Sequence, residues 1–280
     1  MERQKRVMAI NDISCFGKCS LTVALPVLSA AGCEVCPVPT ALLSTHTGGF
    51  EGYTFKNLDD QIMPITEHWK KKGIHFDAIY SGYLGSYEQI DYVESIINDF
   101  ADENVTVLVD PVMGDNGKLY AGFDKKFAKG LLGLCKRADI IVPNITEVSY
   151  MLDIEYREIY SEKDMDFIFG KFEELDIKHV VITGIHMEDD TVACAVYDKG
   201  EIFFVKNKKI EGMFHGTGDV FASALLGAYE KGMNLKKSVE FAVWYVYECI
   251  LITKERYGKS HYGVDFESVL NKFVEKIQEK

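Results

Sequence analysis

A run of small and acidic residues late in the chain, Gly-Thr-Gly-Asp at positions 216–219, has residue types and spacing that could do chemistry. Apolar residues from Val220 to Ala228 follow at helical spacing, which predicts that the run opens a helix. Glycine lets the backbone approach a ligand, and the free N–H groups of a helix N-terminus favour negative charge. The pattern therefore indicates an anion hole beside a carboxylate. In the alternative interpretation, Thr217 caps the helix and Asp219 only complements its dipole.

Polar or glycine-rich segments also follow five of the predicted strands. They are Asn11-Asp12, Ser81-Gly82-Tyr83, Asp110-Pro111, Pro143-Asn144 and Thr183-Gly184. Functional sites in open parallel sheets form at the carboxyl ends of the strands, so these segments are predicted to converge. Each segment alone also fits an ordinary turn, because Gly, Pro, Asn and Asp are common turn residues. Their collective placement is the stronger signal.

Two better-known nucleotide-binding signatures are absent from the sequence. Residues 258–260 resemble the end of a P-loop, but Thr253 stands where the first glycine is required. Phe221 stands where a dinucleotide fingerprint needs its third glycine. The histidines show no spacing typical of a metal site, and no serine lies in a nucleophile elbow. His46 is the histidine expected to contact a ligand, and a hydrogen bond to its own loop is the alternative.

The elements that must position these residues follow from the hydrophobic pattern. Short apolar runs alternate with amphipathic stretches, which predicts parallel strands connected by helices. The predicted strands span 7–11, 34–40, 78–82, 106–111, 140–143 and 180–184, and the predicted helices span 18–31, 58–72, 87–100, 123–137 and 164–175. Residues 191–197 and 201–205 flank a glycine-containing turn and predict an antiparallel pair at an edge, and three helices are expected to close the chain.

We therefore predict an α/β fold with three α/β/α layers, a mostly parallel central sheet and an antiparallel edge hairpin, in one domain over residues 1–280. The chain has 31 Lys and Arg against 43 Asp and Glu, a formal net charge of −12. Such a surface repels nucleic acid and anionic membranes, so neither is expected as a partner. The sequence offers no signal-peptide core and no apolar run long enough to span a membrane, which predicts a cytoplasmic protein.

Taken together, the motifs resemble those of the ribokinase-like (PfkB-type) small-molecule kinases and, within them, the pyridoxal kinases. The segment 216–219 is similar to the active-site signature of the superfamily. Segments 110–115 (DPVMGD) and 81–85 (SGYLG) are similar to the vitamin-kinase group, and segment 44–47 (STHT) is similar to the loop over the vitamin ring. The resemblance covers nearly the whole chain. It implies a ribokinase-like fold and ATP-dependent phosphorylation of the 5′-hydroxymethyl group of pyridoxal, pyridoxamine or pyridoxine, in pyridoxal 5′-phosphate salvage.

The resemblance also implies a role for each matching residue. Asp219 is the general base, and Gly216, Thr217 and Gly218 form the anion hole. The implied vitamer-binding residues are Asp12, His46, Thr47, Gly48, Tyr83 and Asp219. The implied ATP-binding residues are Asp110, Asp115, Asn144, Glu147, Thr183, Gly184 and Thr217, of which Asp110, Asn144 and Glu147 organise Mg²⁺. ATP and Mg²⁺ are the implied cofactors, together with a monovalent cation such as K⁺, and the implied assembly is a homodimer.

Several alternatives stay open on the sequence. Asn144 and Glu147 could form a capping box for the next helix instead of a metal site. The enzyme could be a hydroxymethylpyrimidine kinase or a sugar kinase of the same superfamily, since these share the anion hole and the base. A non-catalytic regulator that binds the vitamer is also open, because fold does not fix function. Asp12 suggests the further hypothesis that a cationic, amine-bearing ring such as pyridoxamine is preferred.

Overall fold

The computed structural model describes residues 3–187, 191–258 and 260–279, apart from the side chain of Ser260. The strands are β1 (Arg6–Ser14), β2 (Glu34–Leu43), β3 (Phe55–Asn57), β4 (Ala78–Ser81), β5 (Thr106–Val109), β6 (Gly114–Asp115), β7 (Lys118–Leu119), β8 (Ile140–Ile141), β9 (His179–His186), β10 (Thr191–Asp198), β11 (Glu201–Lys208), β12 (Met213–Phe214) and β13 (Ser260–His261). The helices are α1 (Leu21–Ala30), α2 (Asp59–Lys71), α3 (Tyr87–Phe100), α4 (Lys125–Cys135), α5 (Ile145–Leu152), α6 (Glu162–Glu173), α7 (Thr217–Glu230), α8 (Leu235–Tyr257) and α9 (Leu270–Gln278).

Within the described ranges, one large sheet has the strand order β11-β10-β9-β8-β5-β4-β1-β2-β3. The six strands from β9 to β2 in this order pair in parallel, whereas β10 and β11 pair antiparallel with their neighbours at one edge. The predicted mostly parallel sheet with an antiparallel edge hairpin is confirmed. The other edge also ends in an antiparallel strand, β3, which the hydrophobic pattern did not reveal because it is only three residues long.

Both faces of the sheet are covered, which explains why its strands read as continuous apolar runs. In β1, Val7 and Ala9 face a core formed with α1, α7, α8 and α9, while Met8 and Ile10 face a core formed with α2 to α6. All four side chains are fully buried. Each large aliphatic side chain buried in this way stabilises the fold by about 1.5–3 kcal/mol. The three predicted layers are therefore confirmed.

Local backbone chemistry sets several boundaries. The edge hairpin turns at Lys199 and Gly200, whose φ angles of 49° and 97° match a two-residue turn with both residues left-handed. Helix α1 begins at Leu21 instead of residue 18, because Ser20 has a φ of 53° that a right-handed helix does not accept. Helix α5 was not among the predicted helices, although the capping alternative for Asn144 anticipated its start.

The three closing helices, α7, α8 and α9, are present as predicted. Phe273 and Ile277 on α9 are buried, in agreement with the predicted apolar face of the last helix. Across the described residues, we find no helix with the length and apolar character needed to cross a membrane.

Candidate active site

The polar segments that follow the central strands meet at one edge of the sheet, beside the first turn of α7. Strands β5, β4 and β1 are neighbours, and their register aligns Ile10 with Ser81 and Ser81 with Val109. The amide of Gly82 donates to the carbonyl of Ile10 at 2.8 Å, and the amide of Asp110 donates to the carbonyl of Ser81 at 2.8 Å. The pairing thus brings together the segments that follow β1, β4 and β5.

The start of α7 depends on a glycine that no other residue can replace without strain. Gly216 has a φ of 77°, and a Cβ added there would lie 1.9 Å from the carbonyl oxygen of Lys18. Thr217 and Gly218 occupy the first turn of the helix, where backbone N–H groups have no partner within the helix. A Cβ on Gly218 would meet no atom within 4 Å, so the space beside this turn is open. An anion could therefore bind here.

Asp219 lies one residue further along, in the first turn of α7. Its Oδ1 lies 3.4 Å from Nδ2 of Asn11, and the backbone amide of Ser20 also donates to its carboxylate. Burial raises the pKa of Asp219 to about 6, and these hydrogen bonds oppose the rise. The carboxylate is therefore ionised at neutral pH and is basic enough to accept a proton from an alcohol.

Asn11 and Ser20 were not predicted as functional residues. Asn11 was noted only as a polar residue at the end of a strand, since the sequence cannot show that its side chain reaches a residue 208 positions away. Ser20 carried no signal, because its contribution comes from its backbone amide and from an unusual left-handed conformation.

Asp12 is buried near Asp219, and its carboxylate is already hydrogen-bonded. The hydroxyl of Ser14 donates to Oδ2 at 3.0 Å, and the hydroxyl of Ser20 donates to Oδ1. Burial raises the pKa of Asp12 despite these two bonds. Both oxygens are therefore engaged by the protein itself, next to the position where a substrate would meet Asp219.

His46 is held by its own loop and by a distant carbonyl. The amide of Gly48 donates to Nδ1 at 3.0 Å, so the proton lies on Nε2, which donates to the carbonyl of Tyr262 at 2.5 Å. Burial lowers the pKa of His46, which keeps the ring neutral. The loop hydrogen bond given as the alternative for this histidine is thus present. Thr47, the next residue, is exposed.

Aromatic rings surround His46 and give this side of the site an apolar wall. The ring of Phe50 lies 5.0 Å from that of His46, and the ring of His215 lies 5.2 Å away. Gly48 packs closely against the His215 ring, since a Cβ on this glycine would lie 2.7 Å from Nδ1. A flat ring could bind against such a wall by stacking or edge contacts.

Tyr83 follows β4 and is tied to the same edge of the sheet. Its amide donates to Oδ1 of Asn11 at 2.8 Å, and its carbonyl accepts from the hydroxyl of Thr40 at 3.0 Å. Burial, together with the charge of Asp12, raises the pKa of Tyr83 to about 12. The phenol is therefore neutral and can donate a hydrogen bond at physiological pH.

Two further buried carboxyl groups lie in this region, Asp110 near Asp219 and Glu147 near Asp110. Burial and the negative charge of Asp219 raise the pKa of Asp110, and burial and the charge of Asp110 raise the pKa of Glu147. Within the described part of the chain, the Asp110 carboxylate accepts no hydrogen bond. Asp110 is 7% exposed, and its oxygens are not fully enclosed by protein, so they could bind water or a cation.

Glu147 and Asn144 form a capping box at the start of α5, as the structural alternative anticipated. The Asn144 side chain accepts from the amides of Thr146 and Glu147, and Oε2 of Glu147 accepts from the Asn144 amide at 2.8 Å. The amide of Met113 donates to Oε1 of Glu147 at 3.2 Å. These side chains already satisfy backbone groups.

The remaining predicted residues line the same edge further from Asp219. Thr183 pairs with Asn144 in an isolated parallel bridge, and Gly184 is exposed with a φ of 68°. Asp115 is exposed on the β6-β7 ribbon and accepts two hydrogen bonds from Asn116. Among the residues described, no group of three or more His, Cys, Asp or Glu is arranged to hold a metal ion by itself. A ligand such as a polyphosphate would have to supply the remaining oxygens.

Comparisons with known proteins agree with this geometry. The family model described as phosphomethylpyrimidine kinase matches residues 23–265. The pyridoxal kinase of Arabidopsis thaliana is 27% identical over 270 residues, which cover 92% of this chain and 85% of that protein.

Two solved structures superpose closely on the chain. The pyridoxal kinase of Lactobacillus plantarum has a TM-score of 0.88 and 28% identity, with 98% of each chain covered. A Bacteroides thetaiotaomicron protein, provisionally described as a phosphomethylpyrimidine kinase and crystallised with pyridoxal, has a TM-score of 0.90 and 34% identity over 97% of this chain and 96% of that one. The resemblance to the pyridoxal kinases stated from the motifs is confirmed. Since the family model spans most of its length, this chain belongs to the phosphomethylpyrimidine kinase family.

Proposed function

We propose that this protein is a pyridoxal kinase, which transfers the γ-phosphoryl group of ATP to the 5′-hydroxymethyl group of a B6 vitamer. The observation that carries the proposal is Asp219, a carboxylate with a pKa of about 6 beside an open, glycine-lined helix N-terminus. The names of the relatives and the family's kinase activity support the same reaction.

In the proposed mechanism, Asp219 accepts the proton of the vitamer hydroxyl as its oxygen attacks the γ-phosphorus. A positioned base of this kind contributes about 10²- to 10⁴-fold to the rate. The amides of Gly216, Thr217 and Gly218 bind the negative charge that spreads over the phosphoryl oxygens, and the dipole of α7 adds to this binding. The aromatic wall around His46 and the phenol of Tyr83 orient the pyridine ring.

The nucleotide is proposed to lie along Asn144, Thr183, Gly184 and Asp115, with its phosphates directed toward α7. The buried carboxylate of Asp110, which lacks a hydrogen-bond partner among the described residues, fits a Mg²⁺ ligand. Glu147 and Asn144 would act through water, because their oxygens already accept backbone hydrogen bonds. When bound, Mg²⁺ would neutralise charge on the ATP phosphates. A requirement for K⁺ stays a prediction from the family resemblance.

A substrate panel tests the proposed reaction. Purified protein with Mg²⁺-ATP is offered pyridoxal, pyridoxamine, pyridoxine, hydroxymethylpyrimidine and ribose, and each phosphorylated product is measured by mass spectrometry. We expect the highest kcat/KM with a B6 vitamer. Asp219→Asn keeps the size of the side chain and removes the basic carboxylate, so we expect its kcat to fall by about 10²-fold or more. Binding of pyridoxal without turnover would identify a non-catalytic regulator instead.

Hydroxymethylpyrimidine phosphorylation is the second candidate, because the matching family model carries that description and a Bacillus subtilis relative is named for it. The flat ring of this substrate would also fit the wall around His46. The substrate panel decides between the two, since a higher kcat/KM for hydroxymethylpyrimidine than for every B6 vitamer would favour this candidate. A sugar kinase is disfavoured, because a sugar needs several side-chain donors and acceptors for its hydroxyl groups.

The preferred vitamer is a separate question that concerns Asp12. We propose that its carboxylate favours pyridoxamine, although the hydrogen bonds from Ser14 and Ser20 reduce the charge that a ligand would meet. Comparing kcat/KM for pyridoxamine and pyridoxal in the native protein and in Asp12→Ser tests the idea. An unchanged ratio would show that Asp12 does not set the vitamer preference.

We further propose one domain over residues 1–280, action in the cytoplasm and assembly as a homodimer.

A further inference from the structure

Asn11 has a side chain whose orientation is determined by its surroundings. It is fully buried in β1, next to a bulge at which the pairing with β2 shifts between Asn11 and Ile13. Its Oδ1 accepts from the amide of Tyr83 at 2.8 Å and from the amide of Asp12 at 3.0 Å. Backbone amides can only donate, so these two bonds identify the oxygen of the side-chain amide. The Nδ2 group must then face the other way, where it lies 3.4 Å from Oδ1 of Asp219.

Gly82 confines the same side chain from a second direction. A Cβ added to Gly82 would lie 2.2 Å from Nδ2 and 2.6 Å from Cγ of Asn11. The backbone after β4 therefore packs directly on the planar amide and leaves it little room to rotate. A donor held by two hydrogen bonds and one close backbone contact is preorganised, and it needs no rearrangement when substrate binds.

We propose that Asn11 is a positioning residue for phosphoryl transfer, which fixes the orientation of the Asp219 carboxylate as it accepts the alcohol proton. This inference rests on the proposed role of Asp219 as the base. The distance of 3.4 Å is long for a hydrogen bond, and such bonds in unliganded sites often shorten when substrate binds. Through its side-chain oxygen, Asn11 also connects the proposed base to the backbone amide of Tyr83, whose phenol is proposed to contact the vitamer.

The substitution Asn11→Asp tests the donor specifically. It keeps an oxygen for the amides of Tyr83 and Asp12, and it replaces the donor that faces Asp219 with a second carboxyl oxygen. We expect kcat to fall about 10- to 100-fold, while KM for the vitamer and for ATP stays within about threefold. Asn234→Asp is the matched control, because Asp also caps helices well and Asn234 caps α8 outside the site. Unchanged kcat in Asn11→Asp, or a loss confined to KM, would overturn the proposal.

A double-mutant cycle provides a second measurement that does not depend on a new carboxylate being tolerated. Asn11→Ser shortens the side chain and is compared in the native background and in Asp219→Asn, with single-turnover assays at high enzyme concentration. If Asn11 acts through Asp219, it lowers the rate in the native background and has no further effect once the base is gone. An equal loss in both backgrounds would overturn the proposal. Full activity of Asp219→Asn would overturn the proposed base as well, which distinguishes the two failures.

Discussion

At the scale of single residues, the proposed role of Asp219 as the base predicts that activity depends on pH. Its folded-state pKa is raised to about 6, mainly by burial, so the basic form is lost as the pH falls through this value. We expect kcat/KM to fall about tenfold per pH unit below pH 6 and to level off above it. A profile of kcat/KM against pH between pH 5 and pH 8 measures this fall in activity. ATP and the vitamer also titrate in this pH range, so the residual activity of Asp219→Asn is measured as the control. If that variant shows the same fall below pH 6, the fall does not come from Asp219.

Gly216 supports a prediction about backbone geometry. Gly216→Ala places a Cβ against the carbonyl oxygen of Lys18 and also requires a left-handed φ of 77°. Gly122→Ala is the matched control, because its φ is 93° and no atom lies within 4 Å of the added carbon. We expect the control to lose about 1–2 kcal/mol of unfolding free energy, and Gly216→Ala to lose more and to lose most of its kcat. Chemical denaturation and steady-state kinetics measure both, and similar behaviour of the two variants would refute the steric explanation.

Residue types at the site were predictable, but their contacts were not. The spacing of Gly216, Gly218 and Asp219 on a helical pattern indicated an anion hole and a base, and the structure places both glycines and the acid at the first turn of α7. The sequence could not indicate that Asn11 and the amide of Ser20 reach Asp219, because both contacts come from segments about 200 residues away. Contacts of this kind depend on packing and on a φ of 53° at Ser20, neither of which leaves a pattern in the sequence.

At the scale of elements, two helices begin with the same capping device. Helix α5 has the box Asn144 and Glu147, and α6 has the box Ser161 and Asp164. Only the first lies at the strand ends beside Asp110. Comparing substitutions in the two capping boxes can therefore show whether Glu147 acts only as a helix cap or also helps to bind the nucleotide.

We expect Glu147→Ala and Asp164→Ala each to lose about 0.5–2 kcal/mol of stability, because Glu147 accepts hydrogen bonds from two backbone amides and Asp164 accepts one. Thermal unfolding measures this loss. Glu147→Ala should in addition raise the KM for Mg²⁺-ATP, since its carboxylate lies near Asp110, whereas Asp164→Ala should not. Equal KM values in the two variants would mean that Glu147 acts only as a cap.

Elements with a strong hydrophobic period were predicted well, and short ones were not. Helix α3 was predicted with its observed bounds, since Ser86 caps it and its apolar residues keep a helical period. Strand β3 and helix α5 escaped prediction because three and eight residues are too few to establish a period. β8 is shorter than its predicted span, since Pro143 cannot donate to a neighbouring strand.

At the scale of the whole molecule, the sheet has an exposed apolar edge. Phe55 lies on the terminal strand β3 and is 47% exposed, and no further strand pairs with β3 among the described residues. Unpaired apolar edges favour association with another chain. We expect the proposed homodimer to use this edge, so that Phe55 is covered in the assembly.

Sedimentation velocity tests the homodimer. The native protein should sediment with twice the chain mass of 31.6 kDa, and Phe55→Glu should shift it toward the monomer, because a charge is costly to bury. Phe167→Glu is the control, since Phe167 is 61% exposed on α6, away from this edge. A native protein that sediments as a monomer would contradict the homodimer, and a dimer that survives Phe55→Glu would exclude this edge.

The contact between Gly216 and the carbonyl of Lys18 joins two backbones without any side chain between them. Mutation can alter every neighbouring side chain and leave such a contact unchanged. The start of α7, which carries Asp219, is thus held in place by the main chain at Lys18. Relatives could therefore vary the side chains around this turn while the acidic residue keeps its place at the start of the helix.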